Sequence, residues 1–216
     1  MGTIIAIVCI VLVVGAALGY YLLRNVQPDE LEVEHHLGDL KKRVENFKGG
    51  FVPFSEGISA SEIDQILEKN RSRIGSGVFL STSGNPIFAY AFRKYIGANE
   101  NWVLYILTLD HEYVLRTTTA GTKVTVDGQR KGTIQGGKTY VDNMGNEVAQ
   151  IKRSGAQSVS KILINDEEVA KVALPEAITT GNALEMGKQE LKIEEKQTIE
   201  TIALFDLVYN AGKLNA

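Results

Sequence analysis

A chain of 216 residues with a net charge of −3 and 23% charged residues has room for one ordinary domain plus extensions. That balance excludes a disordered acidic segment and a basic nucleic-acid binder. The single cysteine, Cys9, lies in an apolar N-terminal stretch. The rest of the chain therefore carries no disulfide framework, cysteine-based zinc site or thiol nucleophile.

Residues 3–23 (TIIAIVCIVLVVGAALGYYLL) contain no charge. As a helix this stretch spans about 30 Å, the thickness of a bilayer's hydrocarbon core. Tyr20 and Tyr21 stand where amphipathic rings favour the interface, and Arg24 closes the run. The expectation is an uncleaved transmembrane helix over residues 1–24. A cleaved signal peptide is its rival, since Gly15, Ala16, Ala17 and Gly19 are small enough for a processing site. However, Met1-Gly2 supplies no Lys or Arg ahead of a run that is long for such a peptide. Arg24, Lys41, Lys42 and Arg43 outweigh the N-terminal flank, which places the body on the cytoplasmic side of a single-pass cell-membrane protein. Gly15 and Gly19 form a G-x-x-x-G pair, the pattern through which two membrane helices approach as a homodimer.

Residues 25–57 read as a linker or stalk with one short amphipathic helix. Pro28, Asp29 and Glu30 suit its start, and Val33, Leu37, Leu40, Val44 and Phe47 form an apolar stripe. Packing of that stripe on the domain or on a membrane surface is the expected use. His35 and His36 point about 100° apart on a helix and read as solvated linker residues; His111, beside Asp110 and Glu112, reads as a turn residue. Residues 58–216 form the domain. It opens on a surface helix over 59–73, where Ser59 and Glu62 match a capping box.

From residue 78 the texture is β. Residues 78–80 and 87–92 flank the turn Ser83-Gly84-Asn85-Pro86, and 101–109 is apolar on both faces. Three hairpins follow, turning at Asp127-Gly128, at Asp142-Asn143-Met144-Gly145-Asn146 and at Asn165-Asp166, residues that tolerate the positive φ of tight turns. Successive hairpins predict an antiparallel meander, closed into a barrel so that no edge stays unpaired. Residues 194–209 then form a helix with Ile199, Ile202, Ala203, Leu204, Phe205, Leu207 and Val208 around most of its circumference. Such a helix must be enclosed.

The hairpins over 141–149 and 164–170, followed by Glu200-Thr201-Ile202-Ala203-Leu204-Phe205-Asp206, resemble the tubby-like superfamily, which includes the phospholipid scramblases and the LURP-one-related proteins. The resemblance covers residues 78–213. It implies a closed antiparallel barrel around a hydrophobic C-terminal helix, and work at membrane surfaces through anionic lipid. The scramblases carry a C-terminal membrane segment preceded by an acidic calcium stretch; here neither is present, so scrambling and calcium dependence do not carry over.

The sequence contains no nucleophile elbow, phosphate loop or H-E-x-x-H pair, and the expectation is a non-enzymatic protein without cofactor or metal. Between residues 113 and 161 the basic residues Arg116, Lys123, Arg130, Lys131, Lys138, Lys152, Arg153 and Lys161 face three acids, a local balance of +5. These eight are the candidate binding residues for anionic phospholipid headgroups, with ordinary solubilising charge as the alternative. The functional expectation is a mainly β domain, tethered to the bilayer, that binds anionic phospholipid or a membrane partner. An adaptor that binds protein without lipid specificity is the competing expectation, and sparse aromatics speak against nucleic acid.

Overall fold

The computed structural model describes residues 2–26, 28–53, 73–81, 83–95, 101–153, 159–173, 184–187 and 191–209. The helix expected over 59–73 lies outside the described residues except for Arg73, which is not helical. Eleven strands form one sheet: β1 (Ile74–Leu80), β2 (Pro86–Lys94), β3 (Trp102–Thr108), β4 (Glu112–Thr118), β5 (Gly121–Val126), β6 (Gln129–Gln135), β7 (Thr139–Asp142), β8 (Glu147–Arg153), β9 (Val159–Ile164), β10 (Glu167–Ala173) and β11 (Leu184–Met186). Every strand pairs antiparallel with its neighbours in sequence, in the order β1 to β11. Helices α1 (Gly2–Val26) and α2 (Glu30–Val44) precede the sheet, and α3 (Ile193–Val208) follows it.

Turn chemistry sets the meander. Asp127 and Gly128 (φ 51° and 77°), and Asn165 and Asp166 (φ 51° and 63°), place two successive residues at positive φ, the geometry that matches the twist of the strands they join. At the β7–β8 turn the Asp142 carboxylate accepts the backbone N–H groups of Met144 and Asn146 at 2.8 and 2.9 Å. Register shifts in β5–β6, β7–β8 and β9–β10 add local bends. Gly132 is required where β6 meets β7, because a Cβ there would stand 2.2 Å from the Val141 carbonyl oxygen.

The bent sheet wraps α3. Thr201 to Val208 are buried without interruption, as is Ile199, and the helix packs on β9 and β10. Trp102 and Phe205 stack at 6.4 Å. The burial of the helix follows from its apolar circumference, but the expected closed barrel does not form: no pairing joins β1 to β11 among the described residues. Covering a helix requires curvature and side-chain contact, whereas closure also requires the first and last strands to reach one another in register.

The apolar N-terminal run forms α1, a helix of 25 residues. Its described side chains cover residues 5–20, about 24 Å of helix against roughly 30 Å of hydrocarbon. Among the described residues no helix is long and apolar enough to cross a membrane. The transmembrane anchor expected over 1–24, and the single-pass membrane location with it, are corrected on that finding.

Helix α2 begins on Asp29, whose carboxylate accepts the Glu32 N–H at 2.7 Å, and ends with Lys41, Lys42 and Arg43 in its last turn, which favours both ends of the helix dipole. Its stripe packs on the outer face of β2 and β3, where Val33, Leu40 and Val44 meet Ala89, Ala91, Val103, Tyr105 and Leu107. Lys41 pairs with Glu112 at 2.7 Å, and Arg116 donates to the Pro28 carbonyl at 3.2 Å. With α2 outside and the core inside, β3 is buried at every position.

His36 overturns the expectation of a solvated linker histidine, being 7% exposed in this seam. It falls three residues after Val33 and four before Leu40, on the stripe itself. Its Nδ1 lies 3.1 Å from the Tyr95 hydroxyl. Burial pushes the Tyr95 pKa up to about 12, so the phenol keeps its proton, and the tautomer of the ring sets which of the two groups donates. Burial, then Arg93, then His35 lower the His36 pKa, against Glu32 and Asp39, which raise it. The docked state therefore binds fewer protons than the undocked one. Docking is at full strength above about pH 6.5 and weakens as pH falls below it. Protection factors of the α2 amides, taken relative to intrinsic exchange at each pH, are expected to fall on acidification in the parent chain, and to lose much of that pH dependence in His36→Gln. Equal protection on both sides of that pH in the parent chain would sink this account.

Candidate functional site

Strand alternation sorts the eight basic residues. On β8, Ala149 and Ile151 face the core, so Lys152 points outward. On β9, Ser160 and Ile162 are buried and Lys161 is exposed; on β10, Ala170 and Val172 are buried and Lys171 is exposed. Register then aligns Lys152 with Lys161 and Lys161 with Lys171, neighbours about 4.8 Å apart across the strands. This outer row of three lysines is the densest gathering of positive charge the sheet makes from these residues.

Two carboxylates edge the row. Glu168 pairs with Lys161 at 2.6 Å and with Lys171 at 3.5 Å, and the Lys161 hydrogen bond leads the effects that lower its pKa. Glu185 aligns with Lys171 on β11. Lys152 has no ion pair among the described residues. Lys171 escaped the sequence reading because it stands outside the 113–161 window, although its two-residue alternation with Val172 was available as a signal.

The other predicted residues lie elsewhere. Arg116 and Lys123 are register partners on β4 and β5, with Arg116 occupied at the start of α2. Arg130 is exposed at the start of β6, and Lys138 is exposed beside the β6–β7 turn. Lys131 lines a cleft of about 460 Å³ at the N-terminal end of α3, together with Asp142, Glu147, Lys192, Glu194 and Glu195. Gly15 and Gly19 sit one turn apart on α1 with no atom within 4 Å of their Cβ positions.

Arg153 points inward. It follows Ala149 and Ile151 on the core face of β8, and its guanidinium reaches Asp206 of α3: Nη2 and Nε donate to Oδ1 at 2.8 and 3.3 Å. Nη2 also donates to the Gly137 carbonyl at 3.2 Å. Asp206 has a fully buried side chain, while that of Arg153 is 31% exposed. An aspartate within an otherwise apolar run was the sequence signal for such a partner, and its identity depended on the fold. On the other side of the core, Glu200 of α3 faces Tyr113 of β4; burial is the leading cause that raises the pKa of both.

A second polar group lies at the β3–β4 turn. His111 Nδ1 is 2.7 Å from Asp127 Oδ2, and Asp127 Oδ1 accepts the Glu112 N–H at 2.9 Å. Against the effect of burial, that N–H and His111 hold the Asp127 pKa low. The pair closes the mouths of two hairpins over one another. Among the described residues no three His, Cys, Asp or Glu side chains gather as a metal site.

The inward pair carries a stability prediction. Arg153→Met leaves Asp206 charged and buried, and is expected to cost about 3 kcal/mol. Adding Asp206→Leu is expected to recover most of that loss. Urea denaturation of the single and double variants reads both, and a single variant within 0.5 kcal/mol of the parent (about the scatter of a neutral surface change) refutes the assignment. Comparison with known proteins finds no matching family model, curated protein or solved structure, so the tubby-like and scramblase-like expectation has no family support.

Proposed function

We propose that this chain is a non-enzymatic binding domain that docks on anionic phospholipid headgroups through the outer face of β8–β10. The observation that carries this reading is the aligned row Lys152, Lys161 and Lys171. The side chains of Lys161 and Lys171 are nearly half exposed, at 48% and 46%. A sheet face presents such side chains together on a rigid frame, so little conformational entropy is lost when they meet a charged surface.

Each lysine close to an anionic leaflet contributes about 1 kcal/mol, falling off within a Debye length. Glu168, shared between two of the three lysines, opposes this attraction. Its position makes the reading specific, because removing a carboxylate from a lipid-docking face strengthens docking.

Co-sedimentation of the full chain with phosphatidylcholine vesicles, with and without phosphatidylserine, tests the proposal. The exposed apolar side chains of α1 contribute the same background to both vesicle types, so the difference between them is the readout. The parent chain is expected to prefer the anionic vesicles and to lose the preference at high salt. Lys152→Gln with Lys161→Gln is expected to weaken the preference about tenfold or more, and Glu168→Gln to strengthen it about fivefold. Lys123→Gln, on a separate part of the sheet, leaves it unchanged. Equal sedimentation with both vesicle types overturns the lipid reading and leaves a protein-binding adaptor.

A further inference from the structure

The two ends of α3 open on clefts of opposite chemistry. The cleft at its N-terminal end is lined by charges, as described above. At the C-terminal end a cleft of about 610 Å³ lies among the β4–β5 turn, the β6–β7 turn and the last turn of the helix, and no charged side chain among the described residues lines it. Its polar lining includes the hydroxyls of Thr117, Thr118, Thr119, Thr122 and Tyr209 and the amide of Gln135; the half-buried Tyr209 supplies its accessible ring, backed by Phe205, which is 1% exposed.

The geometry points to a binding site for a neutral, hydroxyl-rich ring, the chemistry of a sugar. A charged ligand finds no counter-ion in the lining. A purely apolar ligand would strip water from hydroxyls without replacing their hydrogen bonds, which disfavours it. A sugar satisfies both conditions, since its hydroxyls replace water and its C–H face covers an aromatic ring.

Several features suit that occupant. Thr117 and Thr122 share one hydrogen bond, Oγ1 to Oγ1 at 2.6 Å, which uses one of their two hydroxyl protons and leaves the other for a ligand. Thr119 and Gln135 are exposed, and their side chains hold no partner among the described residues. The mouth is kept open by Ala120, Gly121, Gly136 and Gly137. The last two take φ of 55° and 65° in a tight turn that side chains would strain. Phe205 and Tyr209 stack at 5.1 Å, and Trp102 lies 6.1 Å from Tyr209.

Saturation-transfer NMR on the full chain, with the methyl glycosides of glucose, galactose and mannose and with N-acetylglucosamine as probes, tests the site. At least one of the four is expected to receive saturation on its ring C–H protons. The exposed positions Thr119→Val and Gln135→Leu are expected together to weaken that sugar at least tenfold while the far-ultraviolet circular dichroism stays unchanged. Absence of transfer to all four sugars overturns the inference. So does transfer that persists undiminished in the double variant, or stronger transfer to glucose 6-phosphate, which would require a cationic site.

Discussion

The structure depends on one constraint: the second half of α3 is apolar on all sides and cannot face water in any direction. An ordinary surface helix buries one stripe and leaves the rest solvated. Here Thr201 to Val208 are buried in succession, and each large side chain so enclosed contributes about 1.5–3 kcal/mol. No flat sheet supplies that enclosure, so the meander must bend. Its bulges, its close approach at Gly132 and its tight turns all serve the bending. The polar exceptions on the helix lie toward opposite walls, Asp206 on Arg153 of β8 and Glu200 facing Tyr113 of β4. Together they set the rotation of the helix within the sheet, because turning it would bury a carboxylate without its partner.

Enclosing α3 consumes the inner face of the sheet, so the surfaces left to solvent are its outer face and its ends. Helix α2 occupies the outer face of β2 and β3, and the outward side chains of β8–β10 stay in solvent with their lysines aligned. The ends of α3 supply two concave surfaces. Their difference follows from the helix itself. Its first turn carries Glu194 and Glu195, which suit the positive end of the dipole, and its last turn carries Phe205 and leads to Tyr209. A charged cleft at one end and an uncharged, hydroxyl- and ring-lined cleft at the other are the consequence.

The seam between α2 and the sheet is held by a smaller apolar cluster than the core around α3. It rests on a modest apolar contact, one exposed ion pair and a buried histidine facing Arg93. The core around α3 is larger and holds its ionisable groups against partners on the sheet. Acidification bears on the seam through His36, whose burial disfavours its charged form.

Much of the local structure was determined by the sequence alone. The paired turn residues Asp127-Gly128 and Asn165-Asp166, the two-faced apolarity of β3 and the all-round apolarity of α3 each follow from conformational preference and hydrophobic period within a short window. β4 went unread because Glu112, Arg116 and two threonines dilute its alternation, and β11 is too short to leave a pattern. Which strands end as neighbours, whether the first meets the last, and which lysines line up depend on register summed over many pairings, and no local residue encodes that sum. The tertiary structure alone therefore decided that the sheet stays open, that Arg153 turns inward to Asp206 and that His36 is buried. It also scattered the basic residues of the segment, setting Lys152 and Lys161 beside Lys171. For Arg153 and His36 the deciding partner lies 53 and 59 residues away, and only the folded chain brings it within reach.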